Sequence, residues 1–324
     1  MESQAHHISA SGYAPVPRDA TIADLIEKYQ ETHAKTPGRT KAATLEMLKA
    51  QIGKVKLVSL NAIVLRDFID RRTKAGAGGV TIAADLSFFS AVLKWGKHAR
   101  NLDLPDKLAL EARESLKHRG LETRSRERDR EPTDEELGRL YAYWRANPRQ
   151  KIDMPTVCQF ALATGMRLGE ICGLQVDDVD LAKKTVMIRD RKDPRNKAGN
   201  DQLVPLLLEA WKIIQPLIHR RTAGAVFGVR ATSASTAFTR ACQALDPAIL
   251  DLHFHDLRHM ATAQFFRMGL DIPRVALLTG HKTLAMLKRY TDIKPADVHE
   301  AIKKNALDES GNRRSGTAKK RQAG

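Results

Sequence analysis

Two arginines, two histidines and one tyrosine in the second half of this 324-residue chain are of the types that can move a phosphodiester onto a side chain. Such a reaction requires a nucleophile in line with the phosphorus, fixed cations on the non-bridging oxygens, and a proton for the departing 5′ oxygen. Arg167, in ATGMRLGEICGL (163–174), and Arg258, in HDLRH (255–259), offer the cations. A guanidinium suits that role because it keeps its charge and its planar fork matches two phosphate oxygens. His255 lies three residues before Arg258, a spacing that puts both on one helical face. In LLTGHKTLAMLKRYTDI (277–293), His281 is followed nine positions later by Tyr290, the candidate nucleophile.

The elements that must position these groups are legible from the apolar periodicity. Thr133 and Glu136 form a capping box that opens a helix through Leu137, Leu140 and Tyr141. A helix near 155–164 ends at Thr164-Gly165, and the turn delivers Arg167 to the start of another carrying Glu170, Ile171 and Leu174. Strand patterns follow at 184–190 and 201–206, joined by the turn-rich RKDPRNKAGN, which predicts a β-hairpin with a basic tip. Helical patterns resume at 207–219, 233–245, 256–268, 272–280 and 283–290, and PADVHEAIKKNAL (295–307) forms one more.

Upstream, residues 1–18 read as a flexible lead-in. Thr21 with Asp24 caps a helix that turns Ile22, Leu25, Ile26 and Tyr29 inward, and further helices are expected at 40–52, 61–73 and 80–100. Residues 117–131 have almost no apolar side chains and read as a basic linker. The expected organisation is a flexible N-terminus (1–18), an all-α domain (19–116), the linker (117–131), an α+β domain (132–294), and a C-terminal helix with a basic disordered tail (295–324). The fold class is mainly α with a small antiparallel β-sheet.

Lysine and arginine together number 54 against 38 acidic residues, a formal net charge of +16. A surplus of that size attracts polyanions, which makes duplex nucleic acid the leading partner. No apolar run reaches the roughly 18 residues of a membrane span and the N-terminus lacks a signal pattern, so a cytoplasmic protein with no membrane partner is expected. Cys158, Cys172 and Cys242 are few, odd in number and set in apolar surroundings, as reduced core residues are. His253, His255 and His259 lack cysteine or carboxylate partners at ligand spacing, and no metal is expected. Trp95, Trp144 and Trp211 fall on helical patterns and read as core.

ATGMRLGE, HDLR, the GH pair at 280–281 and the tyrosine nine residues beyond, in this order, resemble the catalytic signature of the tyrosine recombinase or phage integrase family. The resemblance covers 133–293 firmly, and 20–115 more loosely resembles that family's SAM-like, helical core-binding domain. It implies that Arg167 and Arg258 clamp the scissile phosphate and that Tyr290 attacks it, leaving a 3′-phosphotyrosine and a free 5′ hydroxyl. It implies that His255 is a general acid/base, that His281 bonds the phosphate or Tyr290, and that Glu170 orients its neighbours. A hairpin lysine would protonate the leaving oxygen: Lys197, eight residues before Pro205, is favoured over Lys192, with Lys183 and Lys184 less so. No cofactor is implied, because the phosphotyrosine retains the bond energy. The resemblance further implies a homo-oligomer on DNA, dimeric at a site and tetrameric in a synapse, with accessory DNA-bending or directionality proteins. Two competing readings are a type IB topoisomerase-like relaxing enzyme and a non-catalytic, basic DNA-binding regulator.

Overall fold

The computed structural model describes residues 12–33, 37–125, 128, 130–191 and 199–290. The hairpin tip with Lys192 and Lys197, the 295–307 helix and the basic tail therefore lie outside the described residues. The chain divides into two compact units, 1–127 and 128–324.

Among the described residues the first unit holds five α-helices, α1 (Ile22–Thr32), α2 (Arg39–Ile52), α3 (Ala62–Lys74), α4 (Gly79–Arg100) and α5 (Leu108–His118), with a 3₁₀ turn at Leu57–Ser59. The capping box expected at Thr21 and Asp24 forms, and Ile22, Leu25, Ile26 and Tyr29 are buried. They pack with Leu45 and Leu48 of α2, Leu65, Phe68 and Ile69 of α3, and Ile82, Leu86, Phe89 and Leu93 of α4. Helix α5 is an addition to the four helices that the sequence patterns suggest, and it runs two residues into the expected linker. It buries only Ala109 and Leu116, and Lys107 offers no side-chain cap at its start.

The second unit begins with α6 (Asp134–Ala146), α7 (Met154–Thr164) and α8 (Leu168–Gly173). A three-stranded antiparallel sheet follows, β1 (Val179–Asp180), β2 (Thr185–Ile188) and β3 (Gln202–Pro205), in the order β1-β2-β3. The expected hairpin is β2 with β3, in the register Val186 to Val204 and Ile188 to Gln202, and its inward residues Val186, Ile188 and Val204 join the core. Strand β1 is too short to show alternation and is defined only by its pairing with β2. Then come α9 (Leu208–Ile218), α10 (Ala231–Ala244), α11 (Phe254–Arg267), α12 (Ile272–Thr279) and the single turn α13 (Leu284–Leu287), which tightens into a 3₁₀ turn at Lys288–Tyr290. The core centres on α7 and α11, with Phe160, Leu257, Ala261 and Phe265 buried among residues of the surrounding helices. Cys158 and Cys242 are buried and Cys172 is half-buried, all as free thiols. Among the described residues no helix is long and apolar enough to cross a membrane.

The end of the expected linker is fastened to this unit. Arg128 donates to Asp251 at 2.6 Å and to Asp256 of α11 at 2.9 Å. Asp256 is buried and also accepts from the backbone N–H of His253 at 2.8 Å, capping α11. A linker arginine thus neutralises the buried carboxylate at the start of the helix that carries His255 and Arg258.

Candidate active site

Two left-handed glycine turns build the seat of the site. Gly165 ends α7 at φ 62° and Gly280 ends α12 at φ 72°, conformations that L side chains adopt only at a cost. A Cβ on Gly165 would lie 3.0 Å from Thr279 Cγ2 and 3.3 Å from Phe265, so the two turns pack against each other without room for a side chain. Helix ends leave carbonyls without intrahelical partners, and here the arginines supply them. Arg258, on α11, donates through Nη1 to Gly165 O at 2.7 Å and to Thr279 O. Arg167, the N-cap residue of α8, donates to Gly280 O at 3.3 Å and to Glu170 at 2.6 Å. Glu170 also accepts from the Arg167 backbone N–H at 3.1 Å, so one carboxylate fixes both ends of that arginine.

The hydrogen bonds define the tautomer of His281. Arg258 Nη2 lies 3.0 Å from His281 Nε2, and since a guanidinium only donates, Nε2 accepts. The proton is then on Nδ1, 2.7 Å from Thr279 Oγ1, whose own hydroxyl donates to Val275 O at 2.7 Å. The chain Arg258 to His281 to Thr279 to Val275 runs in one direction and is satisfied at each link. Burial, then Arg258 and Arg167, push the His281 imidazole down to about 3, which agrees with a neutral ring. Desolvation, then His259 and Arg258, also lower the pKa of His255, whose ring stands edge-on to His259 with centroids 5.1 Å apart. His255 is partly exposed, so solvent tempers that shift. Burial, then Arg167, lower the value for Arg258, yet its carbonyl acceptors keep the fork in place and the guanidinium protonated at neutral pH.

Tyr290 ends the 3₁₀ turn and lies along α11, its ring stacked on Phe266 at 6.2 Å and its hydroxyl bonded to His259 Nδ1. The family resemblance implies His281 on the phosphate or on Tyr290; here His281 bonds Arg258 and Thr279, and the Tyr290 hydroxyl bonds His259. Arg167, Glu170, Arg258 and His281 form one bonded cluster, and His255 and Tyr290 join it through α11. Lys183, 74% exposed at its side chain, pairs with Asp180 at 3.5 Å, and Lys184 lies over Trp211.

Arg191 is a further member of the cluster that sequence reasoning passes over. It follows β2, is only 1% exposed, and donates to Leu277 O at 2.9 Å, Leu278 O at 2.7 Å and Gln202 at 3.2 Å. Its Nε stands 3.5 Å from Glu170, and a Cβ on Gly280 would fall 2.3 Å from that same nitrogen. The neck of the hairpin is thereby pinned to the turn that carries His281 and to the carboxylate that holds Arg167. Nothing local marks such a residue, since arginine is expected at the surface. His259 did carry a signal, one helical turn after His255 on the same face. Among the described residues no three His, Cys, Asp or Glu groups come together as a metal site.

Comparisons with known proteins bear on the family and the fold. The profile described as the Phage integrase family matches residues 132–297. The shufflon-specific DNA recombinase of Escherichia coli is 36% identical over 168 residues, 52% of this chain and 41% of that one. Tyrosine recombinase XerC of Mycobacterium tuberculosis is 30% identical over 155 residues, 44% of this chain and 52% of that one. The chain thus spans about half the length of these curated relatives. Among solved structures, the Tn1549 transposon integrase in complex with circular intermediate DNA superposes with a TM-score of 0.64 at 14% identity, over 87% of this chain and 99% of that one. A lambda integrase dimer bound to a core site gives 0.62 at 15% identity, over 84% and 77%. At those identities the likeness is one of fold.

Proposed function

The chain belongs to the phage integrase family, and on that premise we propose that it is a tyrosine-type, site-specific DNA recombinase. It cleaves and rejoins duplex DNA through a 3′-phosphotyrosine and so integrates or excises a phage or mobile element. One observation carries the reading: the Tyr290 hydroxyl is bonded to the residue beside Arg258, whose guanidinium reaches His281. One turn of α11, Arg258 and His259, thus contacts both the nucleophile and His281.

In this reading Arg167 and Arg258 hold the non-bridging oxygens of the scissile phosphate, with Glu170 fixing the fork of Arg167. An arriving phosphate gives Arg258 Nη2 an anionic acceptor, and His281 then bonds the phosphate or Arg258. Tyr290 attacks phosphorus, the P–O5′ bond breaks, and a hairpin lysine, Lys197 in preference to Lys192, protonates the leaving oxygen. His255 serves proton transfer as general acid/base. The 5′ hydroxyl of a second strand attacks the phosphotyrosine in the reverse chemistry, so neither cofactor nor metal is required. Duplex DNA as the partner is supported by the +16 net charge. Assembly as two protomers per site and four per synapse is favoured by the fold's likeness to lambda integrase, solved as a dimer on a core site and as a tetramer on a Holliday junction; accessory DNA-bending or directionality proteins would join it.

The test is a nicked duplex whose cleavage releases a short 5′ fragment and traps the covalent adduct, tiled from the DNA flanking the coding sequence and run in EDTA. The wild-type protein is expected to form an SDS-resistant complex, and Tyr290→Phe to bind but form none. An adduct with Tyr290→Phe, or none with the wild type, overturns the reading. Recombination between two such sites, against relaxation of a plasmid carrying one, separates the recombinase from a relaxing enzyme.

A further inference from the structure

We propose that His259 is a catalytic residue: the group that takes the proton from Tyr290 as it attacks, and returns it when the strand is resealed. This rests on the recombinase reading and assigns it a proton acceptor that the motif order leaves to other histidines. A free phenol has a pKa of about 10, so about one tyrosine in a thousand is ionised at neutral pH, and attack needs an acceptor for the proton. His259 Nδ1 is in hydrogen-bond contact with the Tyr290 hydroxyl. Phe266, two turns further along α11, stacks on the Tyr290 ring at 6.2 Å and 17°, so the same helix fixes both the ring and its oxygen. His281 is committed elsewhere: its Nε2 accepts from Arg258 and its Nδ1 donates to Thr279.

The step balances. The Tyr290 Oη–H bond breaks and its proton goes to His259 Nδ1, which accepts in the tautomer that carries its ring hydrogen on Nε2. The Oη–P bond forms, the P–O5′ bond breaks, and the 5′ oxygen takes its proton from the separate leaving-group acid. On resealing, a 5′ hydroxyl attacks phosphorus and returns its proton to the leaving-group acid, now the conjugate base, the P–O5′ bond forms, the Oη–P bond breaks, and the imidazolium gives its proton back to the departing phenolate. His255 stands one turn earlier on α11, its ring edge-on to that of His259.

The experiment uses the full-length protein on two nicked duplexes, one normal and one with sulfur in place of the bridging 5′ oxygen, a leaving group that needs no proton. On the normal duplex His259→Ala is expected to form the 3′-phosphotyrosine adduct at least roughly 100-fold more slowly than wild type, with DNA binding unchanged. On the sulfur duplex the same defect should persist, because the missing group serves the nucleophile. His259→Asn, which fills the space and can accept a hydrogen bond but no proton, should be slow on both and guards against a folding defect, read by thermal melting. A rate within threefold of wild type for either variant overturns the assignment. So does recovery on the sulfur duplex, which would put His259 on the leaving-group side. If the wild type itself forms no adduct on either duplex, the recombinase reading fails, and the His259 assignment with it.

Discussion

At the scale of single residues, the site depends on donors whose acceptors are backbone carbonyls. Arg258 directs its fork to Gly165 O, Thr279 O and His281, and a lysine, with one point charge on a flexible stem, cannot reproduce three fixed directions. Arg258→Lys is therefore expected to lower the rate of covalent adduct formation by roughly 10²–10³-fold while retaining DNA binding, the scale at which preorganised charge acts. Single-turnover cleavage checks it. The His281 tautomer has a consequence for stability. Unfolded, its imidazole titrates near 6.5; folded, it stays neutral down to about 3. Protons then bind the unfolded chain more readily, so this contribution is fully present above about pH 6.5 and is lost as the pH falls toward the folded value. His255 is shifted in the same direction. The melting temperature should fall between pH 7 and pH 5, a window above the ordinary carboxylate range, and His281→Asn should flatten that slope.

At the scale of elements, the pairing of the two glycine turns predicts what a single methyl does. In Gly280→Ala the new carbon would meet Arg191 Nε at 2.3 Å, and Arg191 is held by three acceptors and cannot move aside. With the left-handed φ added, the loss should be on the order of 3 kcal/mol, or roughly 10 °C in melting temperature. The Gly280→Ala/Arg191→Ala pair should be clearly non-additive, because removing the arginine removes the clash. Measured additivity would mean that the two positions do not touch as described. The helices that carry strong periodicity and caps were readable: Thr21 with Asp24 and Thr133 with Glu136 both form their boxes. Helix α5 was not, since it buries one alanine and one leucine amid charge, and β1 was not, since two residues carry no period. In the site, Arg167, Glu170, Arg258 and His281 stand in short motifs whose order resembles the family's, and the structure brings these four together. Arg191 was not legible, because its acceptors lie 86 and 87 residues away on α12 and only the fold brings them near. His259 could be found by position but not by partner, since the bond to Tyr290 spans 31 residues.

At the scale of the whole molecule, the net charge of +16 predicts how a recombinase of this composition would meet duplex DNA. The +16 surplus is spread over the entire sequence, whereas the phosphate cage uses two arginines. On the recombinase reading, phosphate contacts outside the cage should outnumber those within it and release counterions without regard to base sequence. Each neutralised phosphate adds about −0.9 to the slope of log affinity against log salt, so six or more contacts give a slope of about −5 or steeper. Titration of a labelled duplex between 50 and 200 mM salt, values chosen on the scale of about 10³-fold weakening, should show that slope for any sequence. An attachment site should lie parallel to it, displaced toward tighter binding by the base contacts. Arg258→Lys should leave the slope unchanged, since it keeps its charge, and its loss should appear in cleavage alone. A slope near zero would mean that the surplus charge faces away from DNA, and the case for a nucleic-acid substrate would then rest on the site alone.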